Sequence, residues 1–108
     1  MKNTFDYKQE SLDALEEMDE EIRKELLSWC EKSFKPIKSI NKKCSSSYGL
    51  KHLFERDKEA KSSYVSNEAF RGAMIKLGFK HTDDRNMYFN ISQKSVNDLR
   101  RRIDHVIV

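Results

Sequence analysis

Glycine is scarce in this chain, with three residues in 108. That excludes a glycine-rich phosphate loop, whose backbone must approach a phosphate through several unbranched positions. Proline occurs once, at Pro36, so helix-breaking chemistry is confined to one place. Cysteine occurs twice, as Cys30 and Cys44, without CxxC spacing. Two free thiols are expected, not a disulfide or zinc framework. His52, His81 and His105 lie far apart with no paired-ligand spacing, so neither a metal site nor a cofactor is expected. No apolar run is long enough to span a bilayer and no signal-peptide core stands near Met1, so no membrane partner and a cytoplasmic location are expected. No nucleophile–base pair or pair of active-site carboxylates stands out, which predicts a noncatalytic protein.

What is abundant is charge. Charged side chains make up 36% of the chain, enough to surround one modest core and too many for a membrane protein. Their distribution is uneven. Residues 1–36 carry six Lys/Arg and ten Asp/Glu, a balance of −4, while residues 37–108 carry fifteen and eight, a balance of +7. An acidic front and a basic back imply two surfaces with different partners, the second attractive to a polyanion.

The apolar periodicity divides the chain. Ser11 is a candidate N-cap for a long helix over about 12–33, with Leu12, Leu15, Met18, Ile22, Leu26 and Trp29 along one face. The opposite face is acidic around Glu16, Glu17, Asp19, Glu20 and Glu21, which is either a solvated helix face or a docking surface. Pro36 ends this segment. A polar, basic connector follows at 37–46, and one of Ser45, Ser46 or Ser47 caps a second helix to about Arg56. Lys38, Lys42, Lys43 and Lys51 form a basic group around Tyr48, a composition that single-strand binders use.

The stretch Tyr64–Ser92 organises the rest. Tyr64 and Val65 suit a strand. Ser66 or Asn67 caps a helix whose Phe70, Ala73, Met74 and Leu77 form one stripe, and Gly78 stops it. Phe79–Thr82 and Met87–Ile91 read as two strands joined by the turn-forming Asp83–Asn86. That order matches the second half of a winged-helix domain. The helix then turns Arg71, Gly72, Ile75 and Lys76 outward, with Gly72 permitting a close approach to a groove or a partner. Ser95 caps a final helix with Val96, Leu99, Ile103 and Val106 on its seam.

Three word-like runs carry a resemblance. WCEKSFKPI (Trp29–Ile37), SSYGLKHLFE (Ser46–Glu55), and YVSNEAFRGAMIKLGF (Tyr64–Phe79) followed by NMYFNIS (Asn86–Ser92) look like small proteins of phages and integrative mobile elements of Gram-positive bacteria. The helix, Gly78 and hairpin order is also similar to the winged-helix segment of phage and poxvirus-type primase-helicases. The first likeness implies a mobile-element setting, the second a role near replicating DNA.

These observations predict an α+β fold: a winged-helix-like domain with a long N-terminal helix and a C-terminal helix around a small antiparallel sheet. The expected divisions are an acidic helix at 1–36, the winged-helix-like part at 37–92 and a C-terminal helix at 93–108. The leading expectation is noncatalytic DNA binding in replication or transcription, through Arg71, Lys76, Lys80 and Arg85 with Lys42, Lys43 and Lys51 in support. The alternative is a protein-interaction module, an inhibitor of a host defence nuclease or an accessory subunit of a replication enzyme. It would use Glu16, Glu17, Glu20, Ile75 and Ile107, the last also suited to a homodimer contact.

Overall fold

The computed structural model describes residues 5–60 and 64–105. Within them the chain forms five helices: α1 (Tyr7–Glu17), α2 (Glu20–Ser33), α3 (Ser47–Arg56), α4 (Asn67–Lys76) and α5 (Gln93–His105). The expected long first helix is two. Met18 is extended at φ −69, ψ 156, and the Asp19 carboxylate accepts hydrogen bonds from the backbone N–H of Glu21 at 3.1 Å and Ile22 at 3.4 Å. An aspartate inside an acidic run thus acts as an N-cap and starts a new helix. At the front of α1 the cap is Asp6, not Ser11, and Ser11 lies buried inside the helix.

α4 is the centre, packed against α1, α2 and α3. Both of its ends follow local chemistry. The Ser66 hydroxyl accepts from the Ala69 N–H at 3.0 Å. At the other end Gly78 takes φ 93, its N–H reaches the Ile75 carbonyl and the Phe79 N–H reaches the Met74 carbonyl. This is the paired arrangement of a Schellman cap, which a residue with a Cβ would strain. Phe70, Ala73 and Met74 are fully buried, as their stripe predicted. Trp29 meets Phe34 and Phe54 edge-on, with ring centroids 5.6 and 5.1 Å apart, and Phe34 meets Phe70 in turn. The stretches 1–36, 37–92 and 93–108 all contribute to this one hydrophobic cluster.

The α+β winged-helix-like expectation is overturned. Among the described residues there is no sheet, only two isolated antiparallel bridges, Pro36 with Ile91 and His81 with Phe89. The segments read as a wing do run side by side, but side chains occupy positions that a ladder would give to the backbone. Asn90 Oδ1 accepts from the Lys80 N–H at 2.7 Å while its Nδ2 donates to the Ile37 carbonyl at 2.7 Å. Thr82 Oγ1 accepts from the Tyr88 N–H at 2.9 Å, and Asn41 Nδ2 donates to the Ile91 carbonyl at 3.3 Å. Short polar side chains compete with regular pairing in this way, and here they win. The result is an all-helical globule with a hydrogen-bonded irregular layer.

α5 closes the core with Val96, Leu99 and Ile103. Ser92, not Ser95, caps it by accepting from the Ser95 N–H at 3.0 Å. A buried polar junction ties α5 to α2 and to the end of α3. The Asp57 carboxylate accepts from Trp29 Nε1 at 2.7 Å and from both terminal nitrogens of Arg102, at 3.3 and 2.8 Å. No helix among the described residues is long and apolar enough to cross a membrane.

Candidate nucleic-acid interface

The helix expected to read a DNA groove turns its supposed outer face inward, onto α1. Arg71 is fully buried. Its Nε donates to Ser11 Oγ at 2.7 Å, one terminal nitrogen donates to the Arg85 carbonyl at 2.6 Å, and the other pairs with the Glu10 carboxylate. The Tyr7 ring lies 5.6 Å from the guanidinium carbon. Gly72 does permit a close approach, but the partner is the chain's own α1: a Cβ there would stand 2.2 Å from the Ser11 carbonyl oxygen and 2.9 Å from the Leu15 Cβ. All three Arg71 nitrogens are thus engaged inside the protein, and its side chain is fully buried. Its place as a DNA contact is corrected to that of a clamp between two helices.

Lys51 is corrected in the same way. It is buried, its ammonium pairs with Glu55 at 2.8 Å, and it lies 4.7 Å from the Tyr64 ring centroid and 5.6 Å from that of Tyr48. Burial pushes the Glu55 carboxyl upward, but hydrogen bonds from Lys51, the Val65 N–H and His52 outweigh it and hold the pKa below the ordinary glutamate value. Lys76 is exposed and stands 3.9 Å from Glu16, so it faces the acidic end of the molecule.

The remaining basic residues come together elsewhere. Residues 32–54 contain six lysines and no Asp or Glu, and residues 85–97 contain Arg85 and Lys94 and again no acid. These two carboxylate-free segments are hydrogen-bonded along their length. Ser92 N–H donates to the Lys35 carbonyl at 2.8 Å, Ile37 N–H to Asn90 at 2.8 Å, Asn41 N–H to Phe89 at 2.9 Å and Ser47 N–H to Met87 at 2.7 Å. Lys80 joins them by donating from Nζ to the Lys38 carbonyl at 2.8 Å. Lys35, Lys38, Lys42, Lys43 and Lys80 are all exposed, and no salt bridge among the described residues involves any of them. Five ammonium groups outside any salt bridge among the described residues give this strip a positive potential.

A groove of about 650 Å³ between α2 and α5 borders this strip at Lys35. Its Lys32, Lys35, Lys94 and Arg102 stand with Glu25, Glu59 and Asp98, an excess of one positive charge. The Asp98 carboxyl is held below the ordinary aspartate value by hydrogen bonds from Lys94 and Arg101. Among the described residues no group of three or more His, Cys, Asp or Glu converges to hold a metal ion. Cys30 and Cys44 are buried free thiols, both with pKa raised by burial.

The residues expected to bind a protein lie in different settings. Glu16, Glu17 and Glu20 are exposed around the α1–α2 break, with Glu16 engaged by Arg23 and Glu20 by Lys24. Ile75 is half-buried and packs on the core. Ile107, with the homodimer contact expected of it, lies outside the described residues. Lys35 was missed in the sequence as a contact, although the carboxylate-free run that contains it was legible. Asn90, which docks that run onto the layer, gave no periodic signal. Comparison with protein-family models, with curated proteins and with solved structures finds no significant match to this chain.

Proposed function

We propose that the protein is a noncatalytic DNA-binding module whose contact surface is the lysine strip of the irregular layer. The carrying observation is the side-by-side pairing of two carboxylate-free segments, with Lys35, Lys38, Lys42, Lys43 and Lys80 exposed and without salt bridges among the described residues. Phosphates bind such a surface through counterion release, without base-specific geometry. Lys42, Lys43 and Lys80 keep the role expected of them, while Arg71 and Lys51 support the fold. The mobile-element setting belongs to the same proposal and rests on the word-order likeness alone. A cytoplasmic location suits it, since both thiols stay unpaired.

The test is a binding titration of labelled DNA across a salt series. Wild type should bind at low salt and weaken steeply. The combined Lys38→Ala, Lys42→Ala, Lys43→Ala and Lys80→Ala variant should reduce the slope of log affinity against log salt by about 3, since each neutralised phosphate contributes about 0.7–0.9. Loss of affinity without a change of slope, or no binding by wild type at low salt, would refute the proposal.

A further inference from the structure

The lysine strip leads into a cleft. The last backbone hydrogen bond that joins the two paired segments is Ser47 N–H to the Met87 carbonyl. The next residue on one segment is Tyr48 and the preceding ones on the other are Asn86 and Arg85. All three line a cleft of about 590 Å³, together with Phe5, Tyr7 and Asn67. Tyr48 is 53% exposed and Phe5 49%, high values for large rings in a molecule that buries most of its aromatics. Tyr48 is held in place, edge-on to His52 at 4.5 Å and with the Lys51 ammonium near its ring, and Phe5 sits edge-on to Tyr7 at 4.6 Å.

The polar lining decides what such a cleft accepts. Glu10 and Glu68 are balanced by Arg71 and Arg85. A ligand with a full charge of either sign therefore gains little there, which excludes a phosphate as readily as an ammonium group. The amides remain. Asn67 donates from Nδ2 to the Arg85 carbonyl and to Asn86 Oδ1, both at 3.0 Å. Its Oδ1 is, among the described residues, the one buried side-chain polar atom without a hydrogen-bond partner. A small turn of that amide would offer the oxygen to an incoming N–H donor. Neutral, planar, aromatic and edged with donors and acceptors describes a nucleobase. A base in a duplex has its faces stacked, so only an unpaired base can present one to Tyr48.

We infer that this cleft receives an unpaired base of single-stranded DNA whose phosphates run along the lysine strip. The inference rests on the DNA-binding reading above and adds strand preference to it. Tyr48 is the stacking residue, Tyr64, 65% exposed beside Lys51, offers a second platform, and Asn67 and Asn86 meet the base edge.

Fluorescence anisotropy with the full chain separates the two claims. The probes are an oligothymidylate of about 20 nucleotides, a mixed-sequence duplex of the same length, and free thymidine monophosphate as competitor. The single strand should bind at least about tenfold tighter than the duplex at equal salt. Tyr48→Ala should weaken single-strand binding by about 5- to 20-fold, within the range for losing one base–aromatic stack. The same variant should leave duplex affinity and the salt slope unchanged, and Tyr48→Phe should restore single-strand binding. Because Tyr48 is exposed, its removal leaves the core intact, which a thermal melt checks. If Tyr48→Ala binds both probes as wild type does, the base cleft is wrong while the lysine strip stands; if the mononucleotide competes as well as the oligomer, the strand gains nothing from the strip and the inferred path of its phosphates is wrong. If neither probe binds at low salt, the DNA reading itself fails and the cleft proposal falls with it.

Discussion

Arg71 uses all three of its nitrogens inside the protein, on Ser11, Glu10 and the Arg85 carbonyl. A planar fork can do this and a point charge cannot. Arg71→Ala should cost about 3 kcal/mol by urea denaturation, near the lower end for breaking a buried pair, because Glu10 keeps access to water. Arg71→Lys should recover less than half of that. A loss of under about 1 kcal/mol for the alanine variant would show that the clamp is dispensable. The neighbouring glycine supplies a test in which the sign decides. In an exposed helix, Gly→Ala stabilises by about 1 kcal/mol. At Gly72 the added Cβ meets the Ser11 carbonyl oxygen at 2.2 Å, so Gly72→Ala should instead destabilise by about 2 kcal/mol or more, read as a lower melting temperature. Sequence alone flagged Gly72 as a point of close approach. It could not name the partner, because one glycine fits a DNA groove and a crossing helix equally well.

The helices show which local signals survive folding. The stripe of α4, its Ser66 cap and the Gly78 stop were all legible, since each depends on neighbours within a few residues. The break at Asp19 was hidden because an acidic run also reads as a solvated helix face. The two-stranded wing failed because alternation at Met87, Phe89 and Ile91 reports burial on one side and says nothing about ladder partners. Asn90 and Thr82 take those partners for themselves. The junction that links α2, α3 and α5 was equally hidden, since Trp29, Asp57 and Arg102 are far apart in sequence. It makes a pH prediction. Burial alone would raise the Asp57 carboxyl, but hydrogen bonds from Arg102, Trp29 and the Glu59 N–H outweigh it, and its pKa in the folded protein lies below the ordinary aspartate value. The unfolded chain therefore binds more protons as acid is added, and stability is lost as pH falls below about 4. Asp57→Asn should lower stability at pH 7 by about 1.5–3 kcal/mol, the range for a hydrogen bond to a charged group. The gap to wild type should hold from neutrality to about pH 5 and narrow as pH falls from there to about 2. A gap that stays constant over that range would mean that the carboxylate charge contributes nothing. Glu55, also depressed, should keep some acid sensitivity in the variant.

At the scale of the whole molecule the uneven charge seen in the sequence becomes a division between surfaces. The lysine strip occupies the irregular layer, while Glu16, Glu17, Asp19, Glu20 and Glu21 crowd the α1–α2 break. An acidic end repels a polyanion at long range and so orients its approach toward the strip. Glu17 is suited to measure this, because it is exposed and no salt bridge among the described residues involves it. It also sits in the last turn of α1, which has no basic residue to offset the helix dipole. Glu17→Lys should therefore stabilise the fold by about 0.3–1 kcal/mol. It should also raise the association rate for DNA by about two- to threefold at low ionic strength, as removal of a distant repulsion does. At about 0.5 M salt the Debye length falls to about 4 Å, and the effect on rate should vanish. A gain that persists at high salt would place Glu17 in direct contact with the strand and move the binding surface to the acidic end. No gain at low salt would mean that the two charge distributions do not act on one ligand, and that the strip works without steering.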